Sequence, residues 1–327
     1  MTHHIRVGVL RGGPSNEYEV SLRTGAGVLS ALRDHHAALY HPRDIFIDRE
    51  GNWHMDGLAL APQDIISKVD VVFNALHGIY GEDGKVQQLL ESLQIPFTGS
   101  GSLASAMSMN KIVSKQLFAA NGIKTPRGKS VSADDISAEL DQIIAELFET
   151  CILPVVVKPA ASGSSIGVSI VRSYDQFPPA LTEAARHGDQ VIIEEFIKGM
   201  EATCGVVEHF RGQDLYALPP VEIRPHTEFF DYEGKYGKAE EIVPATFPDD
   251  IKRELEELAR NVHRLLGLRH YSRTDFRIHP RRGIYVLEAN ALPGLTDGSL
   301  LPKSLQAVGS GFHDLVGHLL TLAHPRR

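Results

Sequence analysis

The chain has 327 residues, enough for two or three domains and for a large core without disulfide or metal staples. Hydrophobic residues make up 43% and charged residues 23%; the net charge of −8 argues against a nucleic-acid surface and allows only a local basic pocket. Two cysteines, Cys151 and Cys204, without CxxC spacing read as reduced, partly buried thiols. The start MTHHIRVGVL shows no secretory signal, and no apolar run is long enough to span a membrane, so the expected location is the cytoplasm.

Residues 5–10 form a short apolar strand, and Gly12-Gly13 turn the chain into a helix over 17–32, with apolar Val20, Val28, Leu29 and Leu32. Strand, glycine turn and helix open a parallel α/β unit. Further strands are expected at 69–75 and 95–97, closing an N-terminal open parallel α/β domain near residue 100. A helix over 102–120, stopped by Asn121-Gly122, leads into a central α+β unit. That unit has helices at 134–149 and 176–187 and strands at 154–159, 167–171 and 191–196. The last third, 199–327, carries strands at 202–207, 215–221 and 284–288. It also has an amphipathic helix over 249–266, capped by Asp249 or Asp250 and stopped by Gly267. Residues 224–242 have no period and read as a long functional loop.

Three stretches carry chemistry. Lys158 ends a buried strand and is followed by Pro159-Ala160-Ala161-Ser162-Gly163-Ser164-Ser165-Ile166-Gly167. Small residues let backbone N–H groups close over phosphate oxygens, and the lysine adds a point charge; a plain flexible hairpin has the same composition. Asp275, with Glu288 and Asn290 two apart on one strand face, offers hard oxygen donors suited to Mg²⁺, or equally a set of surface side chains at strand ends. Glu194, Glu195 and Ile197, followed by Glu201, form a strand edge that can meet a purine and a ribose, a weak signal alone.

The order lysine, Gly/Ser loop, Glu-Glu edge, Arg-x-Asp, Glu-x-Asn across residues 158–290 is the plan of an ATP-grasp nucleotide site. Six stretches narrow it: GGPSNEYEVS (12–21), ALHGIYGEDG (75–84), TGSGSLASAMSMNK (98–111), KPAASGSSIG (158–167), FFDYEGKY (229–236) and LEANALPGLTDGSL (287–300). Along nearly its whole length the chain resembles the D-alanine–D-alanine ligases. The resemblance implies an ATP-grasp fold with domains 1–100, 101–198 and 199–327. It implies ATP and two Mg²⁺ (or Mn²⁺) as cofactors, two D-alanines as substrates, and a homodimer.

By the same resemblance, Lys111 and Lys158 contact ATP phosphates, and Ser164 and Ser165 close over the γ-phosphate. Glu194, Glu195 and Ile197 frame the adenine and Glu201 the ribose; Asp275, Glu288 and Asn290 hold the metals. Glu17 pairs with the first D-alanine's ammonium, beside Ser21 and His77. Arg273 and the Gly294 N–H stabilise oxyanion charge, Lys235 and Ser299 receive the second carboxylate, and Tyr236 links through Ser164 to Glu17. Such a set suits carboxylate activation, because cations must offset the repulsion between a carboxylate and a γ-phosphate. The rival products are D-alanyl-D-lactate and D-alanyl-D-serine, and Lys235-Tyr236 resembles the dipeptide formers. Two departures stand out. Asn110 replaces the usual acid before Lys111, and Ala291 replaces a threonine after Asn290, which puts a helix or ion-pair role and a metal-site hydroxyl in question.

Overall fold

A computed structural model describes residues 4–161, 163, 166–225, 239–296 and 298–324. Strand β1 (Ile5–Gly12) leads into α1 (Tyr18–His35), then β2 (Tyr40–Ile47), β3 (Trp53–Met55), β4 (Leu58–Ala59), α2 (Pro62–Ile66), β5 (Val71–Asn74) and α3 (Lys85–Ser92). The sheet order is β4-β3-β2-β1-β5, with β1 parallel to both β2 and β5. Val7, Val9 and Leu10 are fully buried, as expected of a central parallel strand covered on both faces. At Gly12 the turn needs φ +92, and a Cβ would sit 2.2 Å from the Ile47 carbonyl oxygen, so only glycine fits.

Residues 95–97 do not form the expected strand. A single parallel bridge joins Val72 and Phe97, and Pro96 supplies only a carbonyl, to Val72 N–H at 2.8 Å. The expected helix 102–120 is two: α4 (Ser102–Met109) and α5 (Lys111–Ala120). Asn110 breaks it with an extended ψ of 101, and its side-chain oxygen accepts the N–H groups of Ile112 and Val113 at 3.0 and 3.2 Å. The residue that departs from the family pattern is thus the N-cap of α5.

Strand β6 (Gly128–Ser132), α6 (Ala133–Thr150), β7 (Val155–Pro159), β8 (Ser169–Val171), α7 (Phe177–Ala185) and β9 (Gln190–Glu195) form an antiparallel sheet ordered β6-β9-β7-β8. Leu147, Phe177 and Leu181 from its helices pack on Val155, Val157 and Ile193.

The remaining sheet is antiparallel and holds β10 (Met200–Phe210), β11 (Gln213–Ala217), β12 (Val221–Pro225), β13 (Ala239–Ile242), β14 (Tyr271–His279) and β15 (Gly283–Asn290). The expected loop 224–242 is strand at both ends, because Arg224 and Pro225 belong to β12 and pair antiparallel with Glu240 and Ala239 of β13; residues 226–238 lie outside the described residues. The expected strand 215–221 is β11 and β12, since Pro219 and Pro220 lie between them without N–H groups for a ladder. Helix α8 (Asp249–Leu265) buries Leu255, Ala259 and Val262 against this sheet. Its N-cap position is Pro248, and Asp249 and Asp250 lie in the first turn, where they favour the helix dipole without capping. Helices α9 (Leu300–Ala307) and α10 (Phe312–Ala323) follow. Leu305, Leu315 and Leu319 share one core with Val28, Leu32 and Val9, so the C-terminal helices pack on the N-terminal sheet.

Candidate active site

The site grows from strand ends that three sheets bring together. In the β7–β9 ladder Val156 opposes Glu194, so Lys158, two residues on, lies diagonally across from Glu194 on the same face. Lys158 Nζ donates to Glu194 Oε1 at 2.6 Å. From α5, Lys115 Nζ reaches Glu194 Oε2 at 2.7 Å. One turn earlier on the same helix side, Lys111 Nζ lies 3.1 Å from Glu288 Oε2. Lys111 N–H also donates to the Ala160 carbonyl at 2.9 Å, fastening the start of α5 to the chain after β7. Burial works to raise the Glu194 carboxyl, but the two ammonium groups outweigh it and hold the group below its usual range. Burial pushes the Lys115 ammonium down to about 8 against the pull of Glu194.

The β14–β15 register sets Asp275 opposite Glu288 and Arg273 opposite Asn290. Asp275 is held by a fork from Arg273 (Nε to Oδ1 2.8 Å, Nη2 to Oδ2 2.9 Å) and by the Thr203 hydroxyl at 2.7 Å. Burial opposes the Arg273 charge, yet Asp275, with Glu288 and Glu82 behind it, raises its pKa, so it is a permanent cation. Two facing carboxylates and one amide suit a hard divalent ion that completes its shell with phosphate oxygens and water. Among the described residues no group of three or more His, Cys, Asp or Glu could hold a metal, so a third donor beside Asp275 and Glu288 has to be of another kind, and Asn290 stands next to them. It presents its amide nitrogen to Asp275 Oδ2 at 3.4 Å, and the amide has to turn over to offer oxygen to a metal.

At the amino-acid end, Glu17 occupies the N-cap position of α1. A Cβ on Gly78 would meet Glu17 Oε2 at 2.8 Å and one on Gly163 at 3.1 Å, so this carboxylate lies between the loop after β5 and the loop after β7. Ser21 is wholly buried; its hydroxyl donates to the Ala75 carbonyl and accepts from Gly12 N–H, both at 2.8 Å. It braces two loops and has little left for a ligand. His77 is sandwiched: Nε2 meets Thr24 Oγ1 at 2.9 Å and Nδ1 lies 3.4 Å from Glu82 Oε1. Ser299 sits at the N-cap position of α9, but its hydroxyl turns to Thr296 N–H and Oγ1 at 3.1 and 2.8 Å. It also faces Gly294, where a Cβ would come within 2.8 Å of it.

A cleft runs between the β7–β9 sheet and the β10–β14–β15 sheet, lined by Lys111, Lys158, Phe196, Ile197, Glu201, Arg273, Asp275 and Glu288, among others. Glu195 turns to its rim, taking Arg282 at 2.7 Å and Arg127 N–H at 3.2 Å. Ile197 is buried, and Glu201 pairs with Arg277 at 2.9 Å. Ser164, Ser165, Lys235 and Tyr236 lie outside the described residues. Sequence reasoning missed Lys115, Thr203, Glu82 and Arg277. The four-residue spacing from Lys111 was the signal for Lys115, and Glu82 sat unused inside the ALHGIYGEDG stretch.

The fold defined by these sheets, with a cleft of cations and carboxylates between two antiparallel layers, is the ATP-grasp fold of carboxylate-activating ligases. Residues 57–100 match the family described as D-ala D-ala ligase N-terminus, and residues 117–321 match D-ala D-ala ligase C-terminus. The chain is similar to a D-alanine–D-alanine ligase of Geotalea uraniireducens, 43% identical over 97% of this chain and 95% of the relative. A D-alanine–D-alanine ligase of Geobacter sulfurreducens is likewise 43% identical over 97% and 94%. Among solved structures, the VanG D-Ala:D-Ser ligase from Enterococcus faecalis superposes with a TM-score of 0.85 at 27% identity, covering 98% of this chain and 100% of that one. D-alanyl-alanine synthetase A from Vibrio cholerae does so with 0.83 at 28%, covering 99% of each. The chain belongs to the D-alanine–D-alanine ligase family.

Proposed function

We infer that this protein joins two D-alanine molecules into D-alanyl-D-alanine, spending ATP through a D-alanyl phosphate and releasing ADP and phosphate, as a step of peptidoglycan precursor synthesis. The observation that carries the reading is the full-length family match together with the convergence of Lys111, Lys158, Arg273, Asp275 and Glu288 on one cleft. Asp275, Glu288 and Asn290 would hold Mg²⁺, which supplies charge neutralisation at the phosphates when bound. Lys111 and Lys158 bind and orient the phosphates, with Ser164 and Ser165 closing over the γ-phosphate. Ile197 and the chain at Glu194 and Glu195 bind the adenine, and Glu201 the ribose. Glu17, with His77 and Ser21 behind it, orients the first D-alanine by its ammonium. Arg273 and the Gly294 N–H meet the developing oxyanion, where preorganised donors contribute most. Lys235 and Ser299 take the carboxylate of the second D-alanine, and Tyr236, in the segment between β12 and β13, links through Ser164 to Glu17 so that water is excluded.

The same reading assigns residues 1–100, 101–198 and 199–327 to three domains, and a homodimer in the cytoplasm, the last two on family resemblance. Among the described residues no helix is long and apolar enough to cross a membrane. The test is ADP release with Mg²⁺ and ATP on D-alanine, L-alanine, D-alanine plus D-lactate, and D-alanine plus D-serine, with products weighed by mass spectrometry. D-Alanine alone is expected to suffice and to give the dipeptide. Turnover only with a second D-serine or D-lactate moves the second-substrate assignment and leaves the activation chemistry standing.

A further inference from the structure

Lys115 has no part in the roles assigned above, yet it belongs to a buried chain of three charges: Lys115, Glu194 and Lys158. Each of the three is less than one-tenth exposed. Lys115 approaches Glu194 from behind. Its ammonium forms an ion pair with Glu194 Oε2 at 2.7 Å and donates a hydrogen bond to Thr125 Oγ1 at 3.1 Å. It borders a recess with Ile112, Gln116 and Ile192, whereas Lys158 and Glu288 line the main cleft. Whatever Lys115 does for a ligand in that cleft, it does through Glu194.

The charges define what that is. Lys158 sits on Glu194 Oε1 at 2.6 Å, and a phosphate in the cleft competes for the same ammonium. Were Lys158 the sole partner of Glu194, turning it to a phosphate would strand a carboxylate that is only 3% exposed. An uncompensated buried charge is the costliest arrangement available. Lys115 on the second oxygen removes that cost, and two ammonium groups against one carboxylate leave one positive charge to face the cleft. We propose that Lys115 is a positioning residue for nucleotide binding, the standing counter-ion of Glu194 that frees Lys158 to engage a phosphate. The inference rests on the reading of this cleft as the ATP site.

A double-mutant cycle tests it, using the full-length protein as parent, Lys115→Met, Glu194→Gln and the double variant. The readouts are Mg-ADP affinity by calorimetry and KM for ATP and for D-alanine. Lys115→Met is expected to weaken Mg-ADP binding and raise KM for ATP by about tenfold or more, with KM for D-alanine unchanged to about twofold. In the Glu194→Gln background the same change is expected to matter by less than about threefold, because no carboxylate is left to compensate. Unchanged Mg-ADP affinity in Lys115→Met overturns the proposal. So does an equal loss with and without the Glu194 charge, or a lowered melting temperature with both KM values raised together. If Lys115→Met does not fold, the double variant against Glu194→Gln decides: a difference under about threefold supports the proposal and a larger one overturns it. A parent that binds no ADP overturns the ATP-site reading itself and this inference with it, which is a different result from a parent that binds normally and a variant that does too.

Discussion

Arg273 and Asp275 stand two residues apart on one face of β14, joined by a two-pronged bond of 2.8 and 2.9 Å. Guanidinium and carboxylate fix each other's orientation, so the residue read as oxyanion stabiliser and the residue read as metal ligand are one rigid unit. Lysine at 273 keeps the charge and loses the fork. Arg273→Lys is expected to cut kcat by about 100-fold or more while nucleotide affinity and melting temperature change little, since Thr203 still holds Asp275. Steady-state kinetics with calorimetry checks this.

Glu288 faces Asp275 across the β14–β15 ladder and carries Lys111 at 3.1 Å. Glu288→Gln removes one hard anionic donor. The expected outcome is a rise in the Mg²⁺ concentration needed for half-maximal rate by about tenfold, with partial recovery at high Mg²⁺. A Mg²⁺ titration identical to the parent's would remove Glu288 from the metal set.

Asn110 caps α5 through two backbone N–H groups. Asn110→Ala is expected to lower stability by about 1 kcal/mol in urea unfolding. Asn110→Asp keeps the cap and is expected to leave both stability and kinetics near those of the parent. The same substitution would alter kinetics if the residue before Lys111 served in catalysis through its charge.

His270 joins two parts of the chain: its ring Nδ1 accepts Gly99 N–H at 3.0 Å, and its backbone N–H donates to Glu208 Oε2 at 2.6 Å. Burial, aided by the charge of Arg269, pushes the imidazole down to about 4. An unfolded histidine titrates near 6.5, so between that value and about 4 the unfolded chain takes up a proton that the folded chain refuses. The stabilisation is complete above about pH 6.5 and is lost as pH falls toward 4, by up to about 3 kcal/mol. Glu208, held below the usual carboxyl range mainly by His263 against its burial, adds a loss in the same direction at the acid end. Urea unfolding from about pH 7.5 to about pH 4.5 measures the slope. His270→Asn retains an acceptor and tolerates the φ of +64 at this position, and is expected to flatten that slope.

Much of the site was legible because strand ends and glycine turns leave local marks. Lys158 closes a run of buried valines, Glu288 and Asn290 alternate out of another strand, and α8 announces itself by period. What escaped depends on tertiary contacts. Lys115 looks like any exposed helix lysine until Glu194 is folded against it. Strand β2 reads as YHPRDIFI, with a proline and alternating charges, and its partners β3 and β4 are too short for a pattern. The helix break at Asn110 is invisible in hydrophobicity, since apolar residues continue on both sides. Ser21 and Ser299 were found by position, but their hydroxyl partners, Ala75 and Thr296, could be read only from the folded chain.

The most direct measurement follows the carboxylate oxygen. D-Alanine labelled with oxygen-18 in its carboxyl group is incubated with the protein, Mg²⁺ and ATP, and phosphate and dipeptide are examined by mass spectrometry. Activation through an acyl phosphate predicts one labelled oxygen in the released phosphate for each D-alanyl-D-alanine formed, and no label in phosphate when L-alanine replaces D-alanine. Dipeptide accompanied by unlabelled phosphate, or phosphate release indifferent to D-alanine, would contradict the account.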